Sequence, residues 1–250
     1  DDSIDTIPLA FLSTAFGDDD LPTVDFSNIC SSSGGSNDCS DMATDIKACQ
    51  AKGKTITLSI GGATSSVILS GDSQGKTFAD TIWNSFLGGS SDTRPFGDAI
   101  LDGVDLDLES GDGAGYAAFV TQLRTHTDSA DKTYYVTGAP QCPYPDAYIG
   151  EVLSSVGFDA VYVQFYNNPS CGLTAASTSG WNFATWDKWA KSSPNPDVKV
   201  YIGAPASSSA AGSGYVDADT LAQIAQENRD KYSSFGGVML WDVSEAYSQF

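Results

Sequence analysis

Histidine is almost missing from this chain: His126 is the only one in 250 residues. The five cysteines, Cys30, Cys39, Cys49, Cys142 and Cys171, include no Cys-x-x-Cys pair. A zinc site or a cysteine–histidine nucleophile has little to be built from, so no metal is expected, and His126, in a polar stretch, reads as an ordinary surface residue. Basic residues are scarce too, 12 against 32 acidic ones, for a net charge of −20. Such a charge repels nucleic acid and anionic membranes and leaves a neutral or cationic substrate. No window approaches ~18 uninterrupted apolar residues, which excludes a membrane-spanning helix. The opening Asp-Asp-Ser-Ile has neither the basic nor the apolar region of a signal peptide, so any export signal has been removed or omitted. Also missing are a Gly-x-Gly-x-x-Gly turn after an early strand and a phosphate loop, which weighs against a nucleotide cofactor; none is expected.

What is present suits one large core. With 41% hydrophobic and 11% aromatic residues, the chain is expected to fold as a single domain over residues 1–250. Short β-rich apolar segments recur at residues 6–12, 55–60, 104–109, 134–139, 160–166, 198–202 and 237–241. Between them lie segments of helical spacing at 41–51, 77–87, 116–127, 183–191 and 217–231, the last opened by the capping signal Asp217-Ala-Asp-Thr. Alternation at this spacing implies parallel crossover units, hence an α/β barrel or a doubly wound sheet. Polar or special residues collect after many of the strands, at Ser59-Ile-Gly-Gly62, Glu109, Ala139-Pro-Gln141, Gln164-Phe-Tyr166 and Trp241-Asp242. That clustering favours a (β/α)8 TIM barrel, whose active site is assembled at the C-terminal rim. The Ser/Gly-rich stretches 31–36 and 207–214 read as rim loops.

The chemistry-bearing stretch is Asp102-Gly-Val-Asp-Leu-Asp-Leu-Glu109. Strand side chains alternate faces, so Asp105, Asp107 and Glu109 share one face and Val104, Leu106 and Leu108 the other. Two carboxylates about 6 Å apart at an effective dielectric near 20 repel by roughly 3 kcal/mol, on the order of two pKa units. That is enough to keep one carboxyl protonated near neutrality as a proton donor within a coupled set. A solvated edge strand would show the same alternation, but its aliphatic face would need a cover. A calcium loop would need a turning backbone instead.

These motifs, with Arg94-Pro-Phe-Gly-Asp98, Ala139-Pro-Gln-Cys-Pro-Tyr-Pro-Asp146, Gln164-Phe-Tyr-Asn-Asn-Pro169, Ala211-Gly-Ser-Gly-Tyr215 and Gly236-Gly-Val-Met-Leu-Trp241, run in order over most of the chain. Together they resemble glycoside hydrolase family eighteen, specifically the class III, hevamine-like chitinases, with a fungal tone. The acidic octet matches that family's Asp-x-x-Asp-x-Asp-x-Glu signature. Against the family pattern, the chain starts at what resembles the second strand and stops nine residues after Trp241. The expected barrel thus lacks the family's first strand and last helix, and seven strands close the usual barrel only with distortion. The resemblance implies Cys30–Cys39 and Cys142–Cys171 bridges, with Cys49 left for a cysteine in the missing opening.

The resemblance further implies an endo-acting chitinase that cleaves β-1,4 bonds between N-acetylglucosamine units by substrate assistance, an exception to the two-carboxylate scheme. Glu109 would protonate the leaving oxygen while the substrate's 2-acetamido carbonyl attacks the anomeric carbon to give an oxazolinium ion. It would then serve as base for water, with retention. Asp107 would hold the acetamide N–H, Tyr166 would donate to the acetamide oxygen, and Asp105 would tune the proton shared with Asp107. Gln164 and Asn167 are substrate-binding candidates beside Tyr166, Trp241 a floor under the sugar, and Tyr144 a rim stacking residue; Trp83, Trp181, Trp186 and Trp189 read as packing. Partners are then chitin or chito-oligosaccharides, the location secreted or cell wall, and the expected state a monomer. An endo-β-N-acetylglucosaminidase shares the acidic signature, and the same scaffold also serves lectins, storage proteins and xylanase inhibitors.

Overall fold

Strands buried on both faces carry near-continuous apolar runs, and helices laid over them carry one apolar stripe; both patterns govern this chain. The computed structural model describes residues 3–17, 20–26, 29–33, 36–65 and 67–247, with the side chains of 31–33 and 36–37 left aside. The described chain divides into two compact units, Asp1–Val136 and Thr137–Phe250.

In the first unit, β1 (Thr6–Thr14) pairs in parallel with β5 (Thr55–Gly61), and β5 with β6 (Gly103–Asp107). A two-residue β2 (Thr23–Val24) runs antiparallel to β1. Within the stretch expected as a rim loop, β3 (Ser31–Ser33) pairs antiparallel with β4 (Ser36–Asp38); residues 34 and 35 lie outside the described set. The helices are α1 (Ala43–Ala51), α2 (Asp72–Phe86) and α3 (Tyr116–Thr127). Buried Phe78, Ala79, Ile82 and Phe86 on α2, and Tyr116, Phe119, Val120 and Leu123 on α3, follow helical spacing, and the Phe78 and Phe119 rings meet at 5.3 Å. A Cβ on Gly75 would lie 2.1 Å from the Gly115 carbonyl oxygen, so only glycine permits this approach of α2 to the start of α3.

In the second unit, β8 (Ala160–Gln164), β9 (Lys199–Pro205) and β10 (Phe235–Trp241) are parallel neighbours, and β8 also pairs in parallel with the end of β7 (Tyr135–Gly138). Helices α4 (Gly150–Ser155), α5 (Phe183–Ser192) and α6 (Ala218–Lys231) fill the connections, and α7 (Val243–Tyr247) follows β10. Asp217 caps α6, its carboxylate accepting from the Thr220 N–H at 2.8 Å.

Strand order in the main sheet is β10-β9-β8-β7-β6-β5-β1-β2. All seven expected strands are present, within a few residues of their expected bounds, and β2 is the eighth member. β10 ends the order, and its Val238 and Leu240 are 37% and 45% exposed, as an outermost strand allows. The cysteines pair as the resemblance implied, Cys30 with Cys39 and Cys142 with Cys171, and Cys49 is a free, half-buried thiol. No helix among the described residues is long and apolar enough to cross a membrane, and none of their His, Cys, Asp and Glu side chains form a metal-binding group.

Candidate active site

The acidic row is a buried feature. Asp105 and Asp107 on β6 are 3% and 7% exposed, while Val104, Leu106 and Leu108 are buried on the opposite face. A solvated acidic edge is therefore excluded. Regular strand structure ends at Asp107, and Glu109 is half-buried two residues beyond it, at the C-terminal end where barrel folds assemble their chemistry. The first acid of the octet lies at the other end. Asp102 Oδ2 accepts from the Ile56 N–H at 2.7 Å and Gln50 Nε2 at 2.9 Å, while its Oδ1 pairs with Lys132 Nζ at 2.8 Å. Asp102 thus fastens the start of β6 to β5 and α1, a structural duty that the signature alone does not reveal.

β5 holds the row from the side. Ser59 stands in register with Asp105 and donates its hydroxyl to Asp105 Oδ2 at 2.8 Å, a buried contact that sequence reading assigned only to packing. The glycines behind it do pack closely. Gly61 is in register with Asp107, and a Cβ there would lie 2.0 Å from the Asp107 carbonyl oxygen, at a φ of +122°. The Gly62 N–H donates to the same oxygen at 2.9 Å. Ser-x-Gly-Gly is thus a cradle fixing the backbone of Asp107 and the carboxylate of Asp105. Arg94, from another of the motifs, spends its guanidinium on the carbonyls of Asn84, Leu87, Gly89, Gly97 and Ala99 and organises a loop. His126 is more engaged than expected, its Nε2 lying 2.7 Å from Asp80 and its ring stacked on Trp83 at 5.4 Å. Burial pushes the Asp80 carboxyl up, but contacts with His126 and Gln122 outweigh it and leave the pKa below the usual value.

In the second unit, Gln164 ends β8 and Tyr166 follows two residues later; both are buried. Gln164 Nε2 donates to the Ala139 carbonyl at 2.9 Å, joining the ends of β7 and β8. Asn167 is exposed, yet its Oδ1 accepts from the N–H groups of Gly212 and Ser213 at 2.9 and 3.2 Å. Asn168 Nδ2 donates to Gln141 Oε1 at 3.0 Å and to the Tyr166 carbonyl at 3.3 Å, a tie not anticipated from the sequence. Asp146 organises the loop after β7 by accepting from the N–H groups of Gln141, Tyr148 and Ile149. In that loop Tyr144 is 45% exposed, its ring edge-on to Trp186 at 5.2 Å. Trp241 is half-buried at the end of β10, its carbonyl accepting from the Ala206 N–H at 2.8 Å. Trp186 and Trp189 are core residues, and Trp181 packs against Phe165 with ring centres 4.4 Å apart.

The structure therefore brings Asp105 and Asp107 together on β6 with Glu109 just past it. It brings Gln164, Tyr166 and Asn167 together at the C-terminal end of β8.

The chain matches the family model described as Glycosyl hydrolases family 18 over residues 2–233. It is 48% identical to "Chitinase 2" of Rhizopus oligosporus over 98% of this chain and 45% of that protein. Its structure is similar to that of the ICChI chitinase from Ipomoea carnea, with a TM-score of 0.85 at 33% identity over 97% of this chain and 87% of that one. It is also similar to XAIP-II, a xylanase and α-amylase inhibitor protein from Scadoxus multiflorus, with a TM-score of 0.83 at 34% identity over 98% and 85% of the two chains. The chain spans about half the length of the first curated relatives it matches, 45%, 49% and 47% of them.

Proposed function

The chain belongs to glycosyl hydrolase family 18, and on that premise we propose that it is an endo-acting chitinase that hydrolyses β-1,4 bonds between N-acetylglucosamine units with retention of configuration. The observation that carries this reading is the acidic row itself: two buried carboxylates on β6, one held by Ser59, leading to a half-buried Glu109 just past the strand end. Glu109 gives its proton to the glycosidic oxygen as that bond breaks. The acetamido carbonyl oxygen of the sugar on the non-reducing side forms the new bond to the anomeric carbon. Asp107 accepts from the acetamide N–H and balances the positive oxazolinium ion, Asp105 adjusts the charge on Asp107, and Tyr166 donates its hydroxyl to the acetamide oxygen. Water, deprotonated by Glu109, then opens the oxazolinium from the face the leaving group vacated.

Gln164, Trp241 and Tyr144 serve the sugar in this reading, the last two through their ring faces. The net charge of −20 suits an uncharged or partly deacetylated, cationic polymer. Two disulfides support a secreted or wall-bound protein, since such bonds persist in oxidising surroundings. A non-catalytic sugar-binding or inhibitor role is the second reading, favoured by the likeness to XAIP-II. Hydrolysis of chitotetraose by this chain and by Glu109→Gln separates the two. Cleavage that disappears in the variant supports the enzyme; binding without cleavage by the parent chain supports the second reading.

A further inference from the structure

We propose that Asn167 is a positioning residue for Tyr166, acting through the loop 211–215 instead of through contact with the sugar. The proposal rests on the reading of Tyr166 as the acetamide donor.

Directly after Tyr166, Asn167 sits in the left-handed region with a φ of 56°, which asparagine tolerates better than most residues. In that conformation it makes three links to one short loop. Its N–H donates to the Ser213 carbonyl at 3.0 Å, and its Oδ1 accepts from the N–H groups of Gly212 and Ser213 at 2.9 and 3.2 Å. A carboxamide oxygen has two lone pairs, so both of these bonds are within its capacity. The loop so gathered is laid on Tyr166 itself. At Gly214, with a φ of +101°, an added Cβ would lie 2.7 Å from both Cα and Cβ of Tyr166 and 3.1 Å from the Phe165 carbonyl oxygen. On the other side, Asn168 holds the Tyr166 carbonyl and Gln141. The tyrosine is thus clasped between two asparagine ties, of which the Asn167 tie is the one that seats Gly214. The oxygen that would otherwise be the acceptor for a sugar hydroxyl is committed to the loop.

If Asn167 loses its acceptor oxygen, water can satisfy the exposed Gly212 and Ser213 N–H groups, the loop lifts, and the Tyr166 hydroxyl loses its fixed place. Misplacing a catalytic group by about 1 Å can cost 10²-fold, so Asn167→Ala should lower kcat on chitotetraose by about tenfold to hundredfold, leaving KM little changed. Asn167→Asp keeps an acceptor oxygen and should restore most of the rate. Asn167→Gly keeps the backbone conformation without the acceptor, and should be as slow as the alanine variant.

The decisive measurement is a double-mutant cycle on the same chain, with Tyr166→Phe as the second change and thermal melting as the check on folding. The proposal predicts that Asn167→Ala, or Asn167→Gly should the alanine variant fail to fold, adds less than a twofold further loss in the Tyr166→Phe background. Independent, multiplicative losses would overturn the proposal while leaving Tyr166 in its role. So would a raised KM at unchanged kcat, which would mark a direct sugar contact, and so would full activity in Asn167→Gly. Unchanged kcat in Tyr166→Phe alone, or no cleavage by the parent chain, would overturn the functional reading and the proposal with it.

Discussion

Ser59 and Asp105 face each other across adjacent strands β5 and β6, joined by a buried 2.8 Å hydrogen bond from hydroxyl to carboxylate. Each contact of a buried carboxylate limits how the neighbouring acids share charge, because a charge in such a place needs every partner it has. Ser59→Ala should therefore cost about 1 to 3 kcal/mol of stability. It should also lower kcat more than it raises KM for chitotetraose, because Asp105 is proposed to act on the reacting groups only through Asp107. Steady-state kinetics beside denaturant titration check both statements.

Asp102 belongs to the same octet but works at the opposite end of β6. Removing it takes the side-chain acceptor from the Ile56 N–H and one contact each from Gln50 and Lys132, which keep the carbonyls of Ile100 and, for Lys132, Leu101. Asp102→Ala should destabilise the fold by about 2 to 4 kcal/mol while the folded fraction keeps its kcat. Equal losses in kcat and stability that persist after correction for folded protein would refute this division of labour.

Asp187 on α5 offers a pH-dependent test. Burial raises the pKa of its carboxyl, but Lys191 Nζ at 2.7 Å and the Ser234 hydroxyl at 2.8 Å outweigh that and leave it below the usual value. A depressed folded-state pKa means a contribution that is complete above the unfolded value of about 3.9 and fades as pH falls through the folded value. Asp187→Asn should be less stable by about 1 to 3 kcal/mol at neutral pH, and the gap between variant and parent melting curves should close only in strong acid. A gap that opens toward low pH would contradict the sign.

The Cys142–Cys171 bridge spans 29 residues and joins the loop carrying Tyr144 to the loop after Tyr166. Loop-closure entropy assigns such a link about 3 to 4 kcal/mol. Replacing both cysteines by alanine should lower the melting temperature accordingly, as calorimetry would record. Cys142 also accepts from Asn182 Nδ2 and Trp186 Nε1 through its carbonyl, so the loop should stay in place at low temperature and some activity should remain.

Elements with strong local patterns were legible in advance. The strands, the five longer helices and the inward acidic face of β6 follow from periodicity and capping, down to the Asp217 cap of α6. What escaped reading depends on partners far along the chain. Ser59 finds Asp105 46 residues away, Asn167 finds Gly212 across 45, and His126 finds Asp80 across 46; no local pattern announces such pairings. The six-residue α4 and five-residue α7 are too short for a helical period to register. The strand expected to reach Glu109 stops at Asp107, because alternation of side chains continues past the last ladder hydrogen bond.

The central claim is substrate-assisted retention with Glu109 as acid and base, and the most direct measurement is the anomeric configuration of the reducing ends released in the first minutes of chitotetraose hydrolysis, followed by proton NMR. The account predicts the β-anomer first, with slow mutarotation to the mixture, and no signal from Glu109→Gln. The α-anomer appearing first, or a Glu109→Gln chain that cleaves like its parent, would contradict it.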